Sequence, residues 1–370
     1  MIEGKCFTKE WVGAFRKPKD HKSIQLVILE KMIYALHLLE QLVSQGLDFV
    51  FKGGASLVLL LNEENRFSVD IDIICSVERK KLEATLDNIV KNSNFASVAL
   101  DEKRSYKPGI PKAHYVFEFD SVFDSRAPVK LLLDILIGKH VYPEIISVPI
   151  ATKWTSTDSG TNVRVPSIDS IVGDKLTAFA PNTIGIPYYK GKDSFSMEIC
   201  KQLFDLSKLF SHIKDLGMVN RSYKNIAADE IGFRSNDLRF KQGKINPEVV
   251  LRDTIDTCFI IAKKSANKEE PYKTYFMDLS NGIRSLGANF LMRGQFRIDE
   301  AVVASAQVAY LAAKLLKNDL SPIDYYQGEN ITGQNIENQD WNYLNKLKRQ
   351  PDKSSFYYWY KTVELLKELY

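Results

Sequence analysis

Cysteine and histidine are scarce in this chain of 370 residues, which has four of the first and five of the second. Cys6, Cys75, Cys200 and Cys258 lie far apart, and no pair has the spacing of a metal-binding knuckle. The pattern argues against a zinc site and a disulfide scaffold, and isolated thiols suit a reducing cytoplasm. Long hydrophobic runs are missing too. No stretch approaches the ~18 apolar residues of a membrane span. The opening Met1 to Trp11 carries charges but no apolar core of signal-peptide length. Internal repeats and low-complexity tracts are absent. There is little excess charge of either sign: 50 basic against 46 acidic residues, a net +4. That balance permits contact with nucleic acid or a polyphosphate but does not demand it.

What is present is ordinary globular material, 45% hydrophobic and 26% charged, long enough for two or three domains. Residues 23–46 carry apolar positions at helical spacing and end at Gly46, a plausible C-cap. LDFVFKGG reads as a short strand entering a tight turn, and ASLVLLL as a short helix leaving it. RFSVDIDIIC alternates, with Val69, Ile71 and Ile73 on one face and Asp70 and Asp72 on the other. ERKKLEATLDNIVKNS is a polar-faced helix, HYVFEFDSV and VKLLLDILIG are strands, and 141–165 hold a further strand and a connection. Ser167 opens the next helix as its N-cap. After a Pro- and Gly-rich loop over 180–193, helices dominate. This divides the chain into an α/β domain over 1–165 and a helical domain over 166–370.

The chemistry concentrates at Asp70 and Asp72. Two aspartates at i and i+2 project from one face of a strand, where their hard oxygens can hold Mg²⁺ and a triphosphate. By composition alone, roughly six acid-x-acid pairs are expected by chance in such a chain. Context raises this one above the background. It follows a strand, a Gly53-Gly54 turn and a short helix, and glycines let backbone N–H groups approach phosphate.

Lys52-Gly53-Gly54, followed by Arg66-Phe67-Ser68 and then Asp70-x-Asp72, resembles the signature of the AbiEii/AbiGii-type nucleotidyltransferase toxins of the polymerase-β-like superfamily. IDSIVGDKLTAFA resembles that family's lysine-bearing helix, here with Lys175. KQLFDL resembles a later motif, aligning Lys201 and Asp205, with Gln202 where the family pattern has an acid. The resemblance covers about residues 25–210. It implies an α+β fold: a nucleotidyltransferase mixed sheet flanked by helices, followed by a mostly helical C-terminal domain that completes the active-site cleft.

It also implies a Mg²⁺-dependent enzyme, with two metals, that moves a nucleoside monophosphate from an NTP to an acceptor. The expected acceptor is RNA, such as the tRNA acceptor end, and the expected setting is the toxin half of a bacterial toxin–antitoxin or abortive-infection system with a cognate antitoxin. Lys52, Gly53, Gly54, Ser56, Arg66, Ser68, Lys175 and Lys201 are the expected nucleotide-binding residues. Asp70, Asp72, Asp134, Lys175 and Asp205 are the expected catalytic ones, with Asp70, Asp72 and Asp134 on the metal. Asp134 enters as the third carboxylate because it stands on the opposite parity from Leu131 and Leu133 in an apolar strand. Glu118 and Asp120 compete for that role. Plainer readings remain open: Lys201 and Asp205 as an i, i+4 helix pair, Ser56 as a helix-start hydroxyl, Lys175 as a solvated lysine, Arg66 as a surface charge, and Asp134 paired with a neighbouring Lys or Arg inside the sheet. The rivals in function are transfer to a protein hydroxyl or a small molecule, and a degenerate fold kept as a binding module.

Overall fold

The structure is a computed structural model and describes residues 1–16, 24–61, 66–106, 111–158, 160–235, 237–292 and 294–367. It forms two compact units: Met1–Ser167 with Asn289–Gly294, and Ile168–Ala288 with Gln295–Tyr370. The sheet and the helical region fall in separate units, but the short segment Asn289–Gly294 returns to the first.

The first unit runs α1 (Lys9–Ala14), α2 (Leu26–Ser44), β1 (Phe49–Lys52), α3 (Gly53–Leu61), β2 (Ile71–Cys75), α4 (Arg79–Lys91), β3 (Ser97–Leu100), β4 (Lys112–Phe119), β5 (Val129–Ile137), β6 (Ile145–Pro149) and β7 (Asn162–Pro166). Five strands make one mixed sheet in the order β1-β2-β5-β4-β3. β2 and β5 run parallel, and the other neighbours antiparallel. β6 and β7 pair separately.

Alternation dictates which face of the sheet is dry. Ala113, Tyr115, Phe117 and Phe119 on β4, with Leu131, Leu133 and Ile135 on β5, are buried. Phe119 stacks on Tyr34 of α2 with ring centroids 3.7 Å apart. The opposite parity carries His114, Glu118, Lys130 and Asp134, and it is this face that bears the candidate site. α2 begins three residues later than its apolar pattern suggests; Ser23, at the start of that pattern, lies outside the described residues. It ends as the sequence indicates. Gly46 has φ +71°, its N–H reaches Val43 O at 2.9 Å, and Leu47 N–H reaches Leu42 O at 3.2 Å, closing the helix in a Schellman turn.

α2 also buries polar groups. Glu40 accepts the Ile2 N–H at 2.7 Å, and Glu30 accepts the Val122 N–H at 2.9 Å. Burial pushes the Glu30 pKa up. Among the described residues His37 has no hydrogen-bond partner at either ring nitrogen, and it packs against Phe7 and Phe95. Burial lowers its pKa to about 4. The neutral ring is therefore favoured in the folded chain, while the unfolded chain takes up a proton near its ordinary value of about 6.5. Stability contributed by His37 is present above that value and is lost as pH falls toward 4, by about 3 kcal/mol. Denaturant melts from pH 7 to 4 check this: His37→Phe should flatten the curve, and an unchanged slope in that variant would refute it.

The second unit contains α5 (Ile168–Ala178), a hairpin of β8 (Tyr189–Lys190) and β9 (Asp193–Ser194), α6 (Ser196–Phe210), α7 (Leu216–Phe233), α8 (Leu238–Lys241), α9 (Pro247–Lys263), α10 (Tyr272–Asn289, whose last residue belongs to the first unit), α11 (Ile298–Leu316) and α12 (Ser354–Lys367). α5 and α7 meet at backbone distance, because a Cβ on Gly173 would lie 2.5 Å from Tyr223 N. β3 and the β8–β9 hairpin do not stand out in the sequence. Both are four residues or shorter and owe their form to a neighbouring strand. None of the described helices is long and apolar enough to cross a membrane.

Candidate active site

In the first unit, β1 delivers the chain to the Gly53-Gly54 turn and α3 leaves from it. Gly53 has φ +77°, a conformation an L side chain adopts only with strain. A Cβ there would also lie 2.3 Å from Asp72 Oδ2, so the Asp72 carboxylate rests on the bare Cα. Gly54 serves the same purpose for its neighbours: a Cβ would lie 2.5 Å from an Arg66 Nη and 3.0 Å from Ser68 Oγ. Glycine pair, arginine, serine and aspartate are thus one packed cluster. Residues 62–65, in the middle of the signature, lie outside the described residues.

Arg66 is buried, and its guanidinium donates to Phe67 O at 2.9 Å. The Phe67 N–H donates to Phe290 O at 2.8 Å, and Arg66 bridges to Leu291. The returning segment therefore ties down the Arg-Phe-Ser approach to β2. Ser56 is fully buried and donates to Gly53 O at 2.8 Å. Its hydroxyl closes the turn, the helix-start role that stood open beside a phosphate contact.

Strand register sets the carboxylates. Lys52 pairs with Asp72, Asp72 with Asp134, and Asp134 with His114. One row therefore crosses β1, β2, β5 and β4 on a single face, bearing Lys52, Asp72, Asp134 and His114. Asp70 lies just before the first residue of β2, with Lys31 Nζ at 3.8 Å from its Oδ1. Glu118 stands opposite Lys130, four residues along β5 from Asp134, or about 13 Å at strand spacing. Its Oε2 accepts the Ser97 hydroxyl at 3.0 Å. Asp120 is exposed beyond the end of β4. Asp134 is the carboxylate beside Asp72, and the two competitors are not.

Asp134 is not bare. His114 Nδ1 lies 2.6 Å from its Oδ1, and an Arg104 Nη lies 3.7 Å from its Oδ2. Among the described residues no group of three or more His, Cys, Asp or Glu side chains is arranged to hold a metal ion. The donor set still suits Mg²⁺, which commonly takes one or two carboxylates and completes its shell with phosphate and water. Asp70 and Asp72 supply such a pair beside the Gly53 cradle.

In the second unit, Lys175 on α5 and Asp205 on α6 are both buried. Lys175 Nζ donates to Asp205 Oδ2 at 2.6 Å and to Gln202 Oε1 at 2.9 Å. The departure at Gln202 has a physical reason here: one ammonium meets one carboxylate and a neutral amide, and a second carboxylate would leave a buried net charge. Lys201 is half-buried one turn before Asp205 on α6.

Sequence reasoning missed His114 and Arg104. His114 shares the parity of Glu118 in HYVFEFDSV, but only register shows that it faces Asp134.

A family model described as "Nucleotidyl transferase AbiEii toxin, Type IV TA system" matches residues 37–258. No curated protein matches the chain. Solved structures with similarity include MenT4, a nucleotidyltransferase toxin from Mycobacterium tuberculosis, at 14% identity and TM-score 0.44, covering 81% of this chain and 99% of that one. An antigenic nucleotidyltransferase-like protein from Paracoccidioides brasiliensis matches at 14% identity and TM-score 0.35, covering 58% of this chain and 89% of the other.

Proposed function

Because the chain belongs to the AbiEii nucleotidyltransferase toxin family, we propose that it transfers a nucleoside monophosphate from an NTP to an RNA hydroxyl at the Asp70/Asp72 face of the sheet. The observation that carries this reading is the row of Lys52, Asp72 and Asp134 beside the glycine turn. Asp70 and Asp72 are the residues to hold Mg²⁺. When bound, the ion offsets charge on the triphosphate and its pyrophosphate leaving group. The first N–H groups of α3, reached through Gly53 and Gly54, are placed to receive phosphate oxygens. Lys52 adds a cation to the row. Asp134 accepts the proton of the acceptor hydroxyl. The family also implies a cognate antitoxin as partner.

Four labelled NTPs, each incubated with the protein and with RNA or protein acceptors, test this. Label in RNA supports the reading, label in protein or a small molecule selects a rival acceptor, and no label above an Asp72→Ala control sinks it. RNA binding should also fall with salt, with a log–log slope of about −0.7 per phosphate contact for single strands. Filter binding at several salt concentrations measures that slope, and a flat response would remove RNA as the acceptor.

A further inference from the structure

We propose that His114 and Arg104 form a clamp that positions Asp134, with a hydrogen bond from the strand to one oxygen of the third carboxylate and a cation from the turn beside the other. The inference rests on the transferase reading above and assigns two residues that the motifs do not contain.

The clamp is built into the fold. After β3 the chain makes a tight turn over residues 101–105. The Ser105 N–H and the Arg104 N–H both reach Asp101 O at 3.1 Å, and the Ser105 hydroxyl donates to the same oxygen at 2.7 Å. Ser105 is buried, and its Oγ accepts the N–H of His114 at 2.9 Å. The Asp101 N–H donates to His114 O at 2.8 Å. Turn and strand are thereby stitched together at the residue that faces Asp134. From the strand, His114 Nδ1 reaches Oδ1 at 2.6 Å; from the turn, an Arg104 Nη stands 3.7 Å from Oδ2. An ionised carboxylate only accepts, so the Nδ1 of His114 carries the proton.

Such an arrangement is poorly explained as a device for stability. The pair lies off the apolar face, with the His114 side chain 14% and the Asp134 side chain 27% exposed. Arg104 is about half exposed, and ion pairs of that kind contribute little. Orientation is what the carboxylate otherwise lacks, since the terminal torsion of an aspartate is broad. A donor on Oδ1 and a cation beside Oδ2 favour one rotation of the group. For a base that must meet an acceptor hydroxyl within hydrogen-bond reach, that selection is catalytic geometry set in advance. Among the described residues Glu118, four residues further along β4 and on the same face, takes only the Ser97 hydroxyl, so the double contact belongs to the row that contains Asp72.

The test compares His114→Leu, His114→Asn and Arg104→Gln in the full chain. Loss of an orienting partner typically costs about 10–100-fold in activity. His114→Leu should lower kcat by that factor, with KM for NTP and the melting temperature nearly unchanged. The asparagine amide places an N–H where Nδ1–H stood, so His114→Asn should recover most of kcat. Arg104→Gln should show a smaller loss of kcat at constant KM. In metal-free buffer, proton NMR should show a downfield Nδ1–H signal from His114 that disappears in Asp134→Leu. His114→Leu turning over at the wild-type rate overturns the clamp and leaves the transferase reading standing. Equal losses in His114→Leu and His114→Asn, accompanied by early melting, overturn it in favour of a structural role. If His114→Leu does not fold, Arg104→Gln and the NMR signal decide. A wild-type protein without transferase activity overturns the transferase reading and, with it, the clamp's purpose.

Discussion

Asp72→Ala is expected to lower nucleotide transfer by about a thousandfold or more while leaving the melting temperature within a few degrees of the parent. A metal-held triphosphate contributes several kcal/mol to such a reaction, and about 4 kcal/mol is a thousandfold at 1.36 kcal/mol per decade. Stability should barely respond. Asp72 is half-buried, off the apolar face, and has Lys52 on one side and Asp134 on the other. Its removal gives up an attraction to a cation and relieves a repulsion from a carboxylate. Asp70→Ala should behave alike, because the Lys31 contact at 3.8 Å, with Asp70 46% exposed, is a weak surface pair. Gly53→Ala reaches the same defect by a steric route. Its Cβ would displace the Asp72 carboxylate from a 2.3 Å position, at a backbone cost of about 1–2 kcal/mol for the left-handed conformation. Labelled-NTP turnover and thermal melts measure both quantities. An Asp72→Ala protein that retains a tenth of wild-type transfer would remove Asp72 from the metal site.

Lys175→Ala should produce the largest loss of stability. The Lys175–Asp205 pair has side-chain exposures of 6% and 3%, and truncating one partner takes the contacting opposite charge from a buried group. That typically costs about 3–5 kcal/mol, or roughly 6–20 °C in melting temperature for a domain of this size. Asp205→Ala should cost a similar amount, since it strands the ammonium. The double variant Lys175→Met/Asp205→Leu removes both charges and keeps apolar volume, so most of the lost stability should return. Transfer should not return with it if Lys175 also serves the nucleotide, as the family motif implies. Melts and per-molecule kinetics on the three variants separate the two contributions. A double variant with normal kinetics would make the pair purely structural.

The unequal legibility of these residues follows from their range of interaction. Gly53, Gly54, Asp70 and Asp72 lie within twenty residues of one another, in a turn and a strand whose conformations are local. Parity along VKLLLDILIG was likewise enough to set Asp134 against Leu131 and Leu133, because side chains alternate on any strand. Lys175 and Asp205 could be named from their motifs, but their mutual contact could not. Asp205 stands one turn after Lys201 on α6, and an i, i+4 pair was the natural local reading. Its carboxylate also meets an ammonium thirty residues away on α5. Ser56 stood open between a helix-start hydroxyl and a phosphate contact, and its hydroxyl is found closing the turn.

The sequence by itself determined the family, the α+β class, the strand–turn–helix around the glycine pair and the acidic pair that follows it. These follow from short-range periodicity, glycine stereochemistry and residues close along the chain. Tertiary structure alone decided the strand order β1-β2-β5-β4-β3, and with it the row that sets Lys52, Asp72, Asp134 and His114 side by side. It also decided the return of Asn289–Gly294 to the first unit and the reach of Arg104 from its turn to Asp134. Each of these depends on which strand pairs with which and in what register. That choice is made by the burial of whole faces across the sheet, and no local window of sequence contains it.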